Sequence, residues 1–187
     1  MVLAGTVHIA MADVIHSKSE PTGLRRELAG AAATEGSDTA TTELIELLFF
    51  AYRDFISDAD AILETFGFGR AHHRVVYFVN RTPGMTVAEL LDILKITKQS
   101  LGRVLRELID AGFIEQRTGE ADRRQRLLFA TPRGIALAAQ LTAPQTRRIA
   151  RATEGLTLDD VTATRQFLRH MINEADRAQV GRGGTRR

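Results

Sequence analysis

Apolar residues recur at steps of three and four positions between Leu44 and Phe66, which places them on one face of a long α-helix. Thr42 is the predicted N-cap of this helix, and Gly67 and Gly69 are predicted to end it. The face is longer than a small domain can cover, so we expect part of it to pack against a second copy of the chain. Its members are Leu44, Leu47, Leu48, Ala51, Tyr52, Phe55, Ala59, Ile62, Leu63 and Phe66.

Three shorter helices follow, separated by residues that break or cap helices. Pro83 and Gly84 form a turn after the first of them. Thr86 and Thr97 are the predicted N-caps of the second and third, and Gly112 ends the third. The predicted ranges are 71–80, 87–94 and 98 to about 111.

The pattern after Gly112 predicts two strands, 113–117 and 125–130, which form a hairpin around the charged loop 118–122. Thr131-Pro132 then places an N-cap before a proline at the first helical position, a typical helix start. The remaining predicted helices are 133 to about 152 and, capped by Thr157, 158 to about 177. The order of two short helices, a tight turn and a hairpin is that of a winged helix-turn-helix. The predicted fold class is therefore mainly α with a small β-hairpin wing.

Composition excludes several classes of protein. The chain has 187 residues, of which 44% are hydrophobic and 26% charged, which is typical of a globular domain. It contains no cysteine, so disulfides and thiolate metal sites are excluded. No apolar run approaches the ~20 residues needed to cross a bilayer, and the N-terminus does not have the pattern of a secretory signal. We expect a cytoplasmic protein with no membrane partner.

Charge is unevenly distributed, although the net charge is only +2. Acidic residues dominate the segment 39–70, whereas Lys and Arg dominate 95–133. A local basic region is the electrostatic pattern expected of a protein that binds the phosphate backbone of nucleic acid. The alternative is an ordinary solvated face. The basic residues are Lys95, Lys98, Arg103, Arg106, Arg117, Arg123, Arg124, Arg126 and Arg133.

The helix that begins at Lys98 is the candidate recognition helix. Its predicted inner face consists of Leu101, Val104, Leu105, Leu108 and Ile109, and its outer face carries Gln99, Arg103, Arg106 and Asp110. Gln and Arg side chains match the hydrogen-bonding edges of adenine and guanine in the major groove. Thr97, Lys98 and Ser100 lie at the helix N-terminus, which favours phosphate. The alternative is a solvated face on which Arg106 pairs with Asp110.

The predicted hairpin tip supplies a second basic element. Arg123, Arg124 and Arg126 follow the loop directly, and arginine on a hairpin suits a narrow minor groove with its enhanced negative potential. Asp122 stands two positions before Arg124, where an acid can orient that arginine.

These segments resemble the MarR family of bacterial regulators. The resemblance is carried by 86–91, 96–108, 112–114, the Asp122-Arg123-Arg124 wing tip and Thr131-Pro132-Arg133-Gly134. It implies a homodimer whose N- and C-terminal helices intertwine, with one recognition helix and one wing per subunit. It further implies that Gln99, Ser100 and Arg103 belong to the recognition helix, that Arg124 enters the minor groove, and that Asp122 orients Arg124. The cysteine of the oxidant-sensing branch is absent, so thiol oxidation is not the signal.

The predicted organisation has three parts. Residues 1–38 are expected to form a flexible extension in which 24–33 can form a short helix, and 178–187 a flexible basic tail. Residues 39–177 form the MarR-like domain. Within it, the DNA-reading unit is about 71–131, and the dimerisation helices are about 42–66 and 133–177.

Other side chains suggest weaker hypotheses. Tyr52, Phe55, Phe66 and His73 are the candidates for a small-molecule pocket, which the resemblance places between the dimer helices and the DNA-reading unit; the alternative is plain packing. His72 and His73 point about 100° apart on a helix and are not expected to share a metal ion. No catalytic set and no cofactor motif is recognisable, so we do not expect an enzyme.

The leading hypothesis is a sequence-specific transcriptional regulator, a ligand-responsive repressor that binds double-stranded DNA as a homodimer. Two-fold symmetry predicts a pseudo-palindromic operator with half-sites about one helical turn (~10 bp) apart. The alternative is a winged-helix module for protein–protein contact, whose basic face is incidental.

Overall fold

The structure is a computed structural model that describes residues 22–120 and 122–181, with side chains described from residue 38 onward. The chain divides into two compact units, 1–48 and 49–187. The described residues are mainly helical, with one small antiparallel sheet, in agreement with the predicted fold class. None of the described helices is both long and apolar enough to cross a membrane.

The first helix, α1 (Thr22–Glu64), begins twenty positions before the predicted helix start. Thr42 is therefore an interior residue and not the N-cap, and its hydroxyl donates to the carbonyl of Asp38 at 2.9 Å, one turn earlier. Extending an existing helix costs far less than nucleating one, so the polar stretch before Thr42 does not stop it. Part of the extension predicted to be flexible, from Thr22, is thus helical, and residues 1–21 lie outside the described residues. As predicted, the helix ends before Gly67, where φ is +70°.

The DNA-reading unit contains three helices and three strands. In chain order they are α2 (Arg70–Arg81), β1 (Met85–Thr86), α3 (Val87–Leu94), α4 (Lys98–Asp110), β2 (Ile114–Thr118) and β3 (Arg126–Ala130). The sheet order is β1-β3-β2, with both pairs antiparallel. The two predicted hairpin strands are confirmed to within a residue, but β1 was not predicted. Two residues are too few to show a period, and only the pairing of Met85 with Leu128 makes them a strand.

The predicted caps of α3 and α4 are confirmed. The Thr86 hydroxyl accepts from the Glu89 amide at 3.1 Å, while the Glu89 carboxylate accepts from the Thr86 amide at 2.7 Å, completing a capping box. Thr97 accepts from the Ser100 amide at 3.1 Å. Lys95 takes a left-handed conformation between the two helices, with φ of 51°, and so makes the tight turn of the helix-turn-helix.

Helix α5 (Pro132–Ala152) is held against the base of the wing. Thr131 caps it, accepting from the Gly134 amide and donating to the Gly112 carbonyl at 2.7 Å. Gly134 is buried so closely that a Cβ there would lie 2.0 Å from the carbonyl oxygen of Phe113. Only glycine permits this approach.

The last predicted helix is divided in two. Thr157 caps α6 (Leu158–Met171) as predicted, but the chain becomes extended at Ile172 and a short α7 (Glu174–Arg177) follows. Arg177 Nε donates to the Ile172 carbonyl at 3.0 Å, which satisfies a backbone acceptor that the break leaves free. Of the predicted basic tail, 182–187 lie outside the described residues.

One hydrophobic core joins these elements in the second unit. It takes side chains from α1 after residue 48, from α2 to α5 and from the sheet. Its fully buried members include Leu63, Val75, Val79, Leu90, Leu101, Leu108, Phe113, Leu128, Leu137 and Leu141. This core fixes the orientation of α4 and the wing relative to each other.

Candidate nucleic-acid interface

Helix α4 has one buried and one exposed face. Leu101, Val104, Leu105 and Leu108 are buried in the core, with Ile109 half-buried beside them. Every predicted contact residue of this helix is exposed, namely Lys98, Gln99, Ser100, Arg103 and Arg106, with Thr97 before them. The core therefore presents those side chains to solvent on one surface.

The N-terminus of α4 is ordered by two hydroxyl groups. Thr97 Oγ1 accepts from the Ser100 amide and donates to Ser100 Oγ at 2.9 Å. Both hydroxyls are thus fixed beside the first-turn amides, which have no acceptor within a helix. Lys98 and Gln99 are exposed in the same turn. This arrangement suits an anionic oxygen, because the amides and the helix dipole favour negative charge.

The two arginines of α4 differ in their surroundings. Arg103 Nε lies 4.0 Å from Glu107 Oε1, one turn further along. The alternative pairing of Arg106 with Asp110 is not formed in this structure, where the two side chains share no salt bridge although both are described. Arg106 therefore stands exposed without an acidic partner among the described residues.

A buried histidine reaches the same helix from α2. His72 is 8% exposed, and its Nε2 lies 2.6 Å from Glu107 Oε2. Its Nδ1 accepts from the Gly69 amide at 3.1 Å, and its ring stacks on Phe68 with centroids 4.5 Å apart. The sequence suggested a packing or dimer-contact role for His72 and gave no sign of the contact with Glu107, which lies 35 positions away.

The wing exposes its basic residues at the tip and along β3. Arg123 and Arg124 are exposed, with no side-chain partner among the described residues. Arg126 is exposed but lies along the sheet, where its Nη1 donates to Thr118 Oγ1 at 2.7 Å across the strand pair. The wing tip thus presents two adjacent unpaired cations.

Asp122 orders this tip through the backbone. Its carboxylate accepts from the Arg124 amide at 2.9 Å, and its carbonyl accepts from the Gln125 amide at 3.0 Å. In this structure Asp122 therefore bonds to the backbone of Arg124 and forms no ion pair with its guanidinium. Gly119 permits the turn, because a Cβ there would lie 2.9 Å from the Asp122 carbonyl oxygen.

A cavity of about 520 Å³ lies between α1, α2 and α5. Of the four residues suggested for a small-molecule pocket, Tyr52, Phe55 and His73 line this cavity. Phe66 does not, because it follows the end of α1 and its ring packs edge-on against Phe113 at 5.4 Å. The lining residues that sequence did not suggest are Ile56, Arg74, Tyr77, Thr142, Gln145, Thr146 and Ile149. They come from three helices, and no spacing along the chain relates them.

Burial lowers the pKa of His73, and the nearby Asp60 carboxylate opposes that shift. The imidazole in the cavity wall therefore tends to be neutral near pH 7. Beside it stand the Arg74 guanidinium and the Tyr52 and Tyr77 phenols, which give an apolar cavity a few polar groups.

These elements define the class of winged helix-turn-helix DNA-binding proteins: a helix exposing polar side chains after a tight turn, followed by a basic wing. The MarR family model matches residues 66–125. The transcriptional regulator PetP of Rhodobacter capsulatus is 46% identical over 133 residues, covering 71% of this chain and 80% of PetP. The chain belongs to the MarR family of transcriptional regulators.

Two further proteins are similar. The transcriptional repressor Rv2887 of Mycobacterium tuberculosis is 30% identical over 117 residues, covering 54% of this chain and 84% of the repressor. The crystal structure of Streptococcus pneumoniae FabT in complex with DNA aligns with a TM-score of 0.61 at 16% identity, covering 70% of this chain and 94% of FabT. At that identity the second likeness shows the fold alone.

Proposed function

We propose that this protein is a homodimeric repressor that binds a pseudo-palindromic operator and responds to a small-molecule effector. The observation that carries the proposal is that α4 exposes Arg103 and Arg106, the wing tip exposes Arg123 and Arg124, and one core fixes the two elements together. A DNA-bound regulator acts in the compartment that holds the DNA, so we infer a cytoplasmic location. It acts by binding and not by catalysis.

The contacts divide into those that read bases and those that bind phosphate. Gln99, Arg103 and Arg106 project from α4 and carry the paired hydrogen-bonding groups that match adenine and guanine. Thr97, Lys98 and Ser100 surround the free amides of its first turn and suit phosphate oxygens. Arg124 suits the minor groove on its ordered turn, with Arg123 beside it and Arg126 along the strand.

The homodimer is supported by apolar side chains that the described residues leave exposed. In the first unit these include Leu44, Ile45 and Leu47, and in the second Phe49, Phe50, Leu158, Leu168 and Met171. Within each unit, several large apolar side chains left exposed indicate a surface that binds a partner, and the family resemblance favours a second copy of the chain as that partner. Sedimentation equilibrium should then give twice the chain mass of 20.6 kDa.

The effector is supported by the cavity lined by Tyr52, Phe55 and His73. Its size and apolar lining are typical of small-molecule sites, and Arg74 and Tyr77 supply polar groups that can orient a ligand. Because α2 forms both a wall of this cavity and a contact to α4, a ligand that shifts α2 would alter the DNA-binding surface.

The test is a titration of the full chain into duplex DNA from its own upstream region and into an unrelated duplex, at several salt concentrations. We expect selective binding that weakens steeply with salt, as phosphate contacts require. Arg124→Ala should weaken binding, whereas Arg70→Ala, which removes an exposed arginine outside both the predicted dimerisation helices and the DNA-reading unit, should not. If both duplexes bind weakly and without salt dependence, a genome-wide binding search would be needed, and its failure would favour the protein-contact module.

A further inference from the structure

The carboxylate of Glu107 occupies an unexpected place on the recognition helix. It is 45% exposed at the side chain and lies on a helix that is otherwise suited to a polyanion, where an acid repels phosphate. Yet its two oxygens face two different partners. Oε2 meets His72 at 2.6 Å, and Oε1 lies 4.0 Å from Arg103 Nε.

The His72 ring is held by a hydrogen bond and by a stacking contact. Because the Gly69 amide donates to Nδ1, that nitrogen must be unprotonated, and a neutral ring then carries its proton on Nε2, facing Glu107. The ring stacks on Phe68 with an interplanar angle of 9°, which restricts its rotation. His72 Nε2 is therefore held facing Glu107.

We propose that His72 and Glu107 are positioning residues that hold Arg103 for sequence discrimination. This inference rests on the proposed DNA-binding function and deepens it. Glu107, fixed by His72, restrains the guanidinium one turn earlier on α4 and offsets its charge. Arg103 then gains less from indiscriminate phosphate contact, and reaches a base edge with less loss of side-chain freedom.

The charge of Glu107 and its hydrogen bond can be separated by substitution. Glu107→Gln keeps an acceptor for His72 but removes the charge that holds Arg103. We expect it to lower the affinity ratio between the preferred and the unrelated duplex several-fold, chiefly by raising affinity for the unrelated duplex. Asp110→Asn is the matched control, because Asp110 is an exposed acid on the same helix without a contact to Arg103. It should raise both affinities alike and leave the ratio unchanged.

Substitution of His72 tests whether this residue fixes Glu107. His72→Leu removes the donor and should lower the ratio as Glu107→Gln does. His72→Gln places an amide donor near the position of Nε2 and should restore part of the affinity ratio. If His72 only packs, the two variants should have the same affinity ratio when each is measured at a temperature that gives them equal stability. If the ratio is unaffected in Glu107→Gln, or falls equally in Asp110→Asn, the proposal is wrong.

A measurement without DNA separates this proposal from the proposed function. Nitrogen-15 NMR of the full chain should show His72 protonated on Nε2 and should report a change at Arg103 Nε in Glu107→Gln. Absence of both signatures overturns the proposed positioning even if DNA binding is specific. Both signatures in a protein that fails to discriminate between duplexes would instead overturn the DNA-reading function, and the specificity role with it.

Discussion

The carboxylate of Asp122 accepts a hydrogen bond from the backbone amide of Arg124 at 2.9 Å. A side-chain oxygen bonded to the amide two residues later is the geometry of an Asx turn, which fixes the direction of the chain at that point. Arg124 thus leaves the wing tip from an ordered backbone while its own side chain stays unpaired. The backbone amide of Arg124 orders the turn, and its guanidinium stays available to bind DNA.

The first prediction concerns this turn. Asp122→Ala removes the acceptor and should weaken operator binding about fivefold, because one hydrogen bond of about 1 kcal/mol no longer orders the tip. Asp122→Asn keeps an acceptor for the Arg124 amide and should bind nearly as the parent does. Fluorescence anisotropy with a labelled operator measures both. Equal losses in the two variants would mean that the charge of Asp122 matters and the turn does not.

The second prediction separates stability from binding at Gly102. A Cβ at this helical position meets nothing within 4 Å, so Gly102→Ala should stabilise the fold by about 0.5–1 kcal/mol. The same methyl group lies on the exposed side of α4 and should weaken DNA binding by preventing close approach of the backbone. Urea unfolding gives the free energy of unfolding, and a DNA titration of the same preparation gives the affinity. Unchanged affinity would show that α4 does not bring this position against DNA.

The third prediction concerns Gly134 at the base of the wing. Because a Cβ would lie 2.0 Å from the Phe113 carbonyl oxygen, which is backbone and cannot rotate away, Gly134→Ala should destabilise the protein by about 3 kcal/mol. Urea unfolding measures the loss, and Gly102→Ala is the control, because it is also a glycine-to-alanine change within a helix. A loss below about 1 kcal/mol would mean that α5 shifts freely away from the wing.

The fourth prediction concerns the pH dependence of stability. Burial lowers the pKa of His73 from its ordinary value of 6.5. As the pH falls through 6.5, the unfolded chain binds a proton that the folded chain does not, so the free energy of unfolding should decrease. The decrease should continue until the lowered folded pKa is reached and then stop. Above pH 6.5 both states are neutral and His73 contributes no slope.

His73→Gln should remove this component of the slope, measured as urea unfolding at closely spaced pH values on both sides of 6.5. The difference between parent and variant isolates His73, because the other histidines are common to both. A difference that stays constant across that range would show that burial does not shift this imidazole.

Much of the fold follows from local patterns along the chain. The spacing of Leu101, Leu105 and Leu108 matches the 3.6-residue period and identifies the buried face of α4. The exposed face follows from it, because a helix on the surface of a domain buries one face and exposes the opposite one. Thr86 and Thr97 mark helix starts because the hydroxyl of each accepts from the amide three residues later. The start of α1 was wrongly placed at Thr42 because a cap residue also fits inside a helix, where its hydroxyl bonds the previous turn.

The contacts between elements could not be read from local patterns. Strand β1 exists because Met85 pairs with Leu128, and Tyr77 lines the cavity in place of Phe66 because α2 and α5 converge there. The bond from His72 to Glu107 joins residues that no period relates. Local patterns were enough to place α2 to α5, the two hairpin strands and the buried face of α4, since those features depend on neighbours within one turn, but they misplaced the start of α1 and missed the break after α6. The position of each side chain against another element depends on how the whole core packs, and that is settled only in three dimensions.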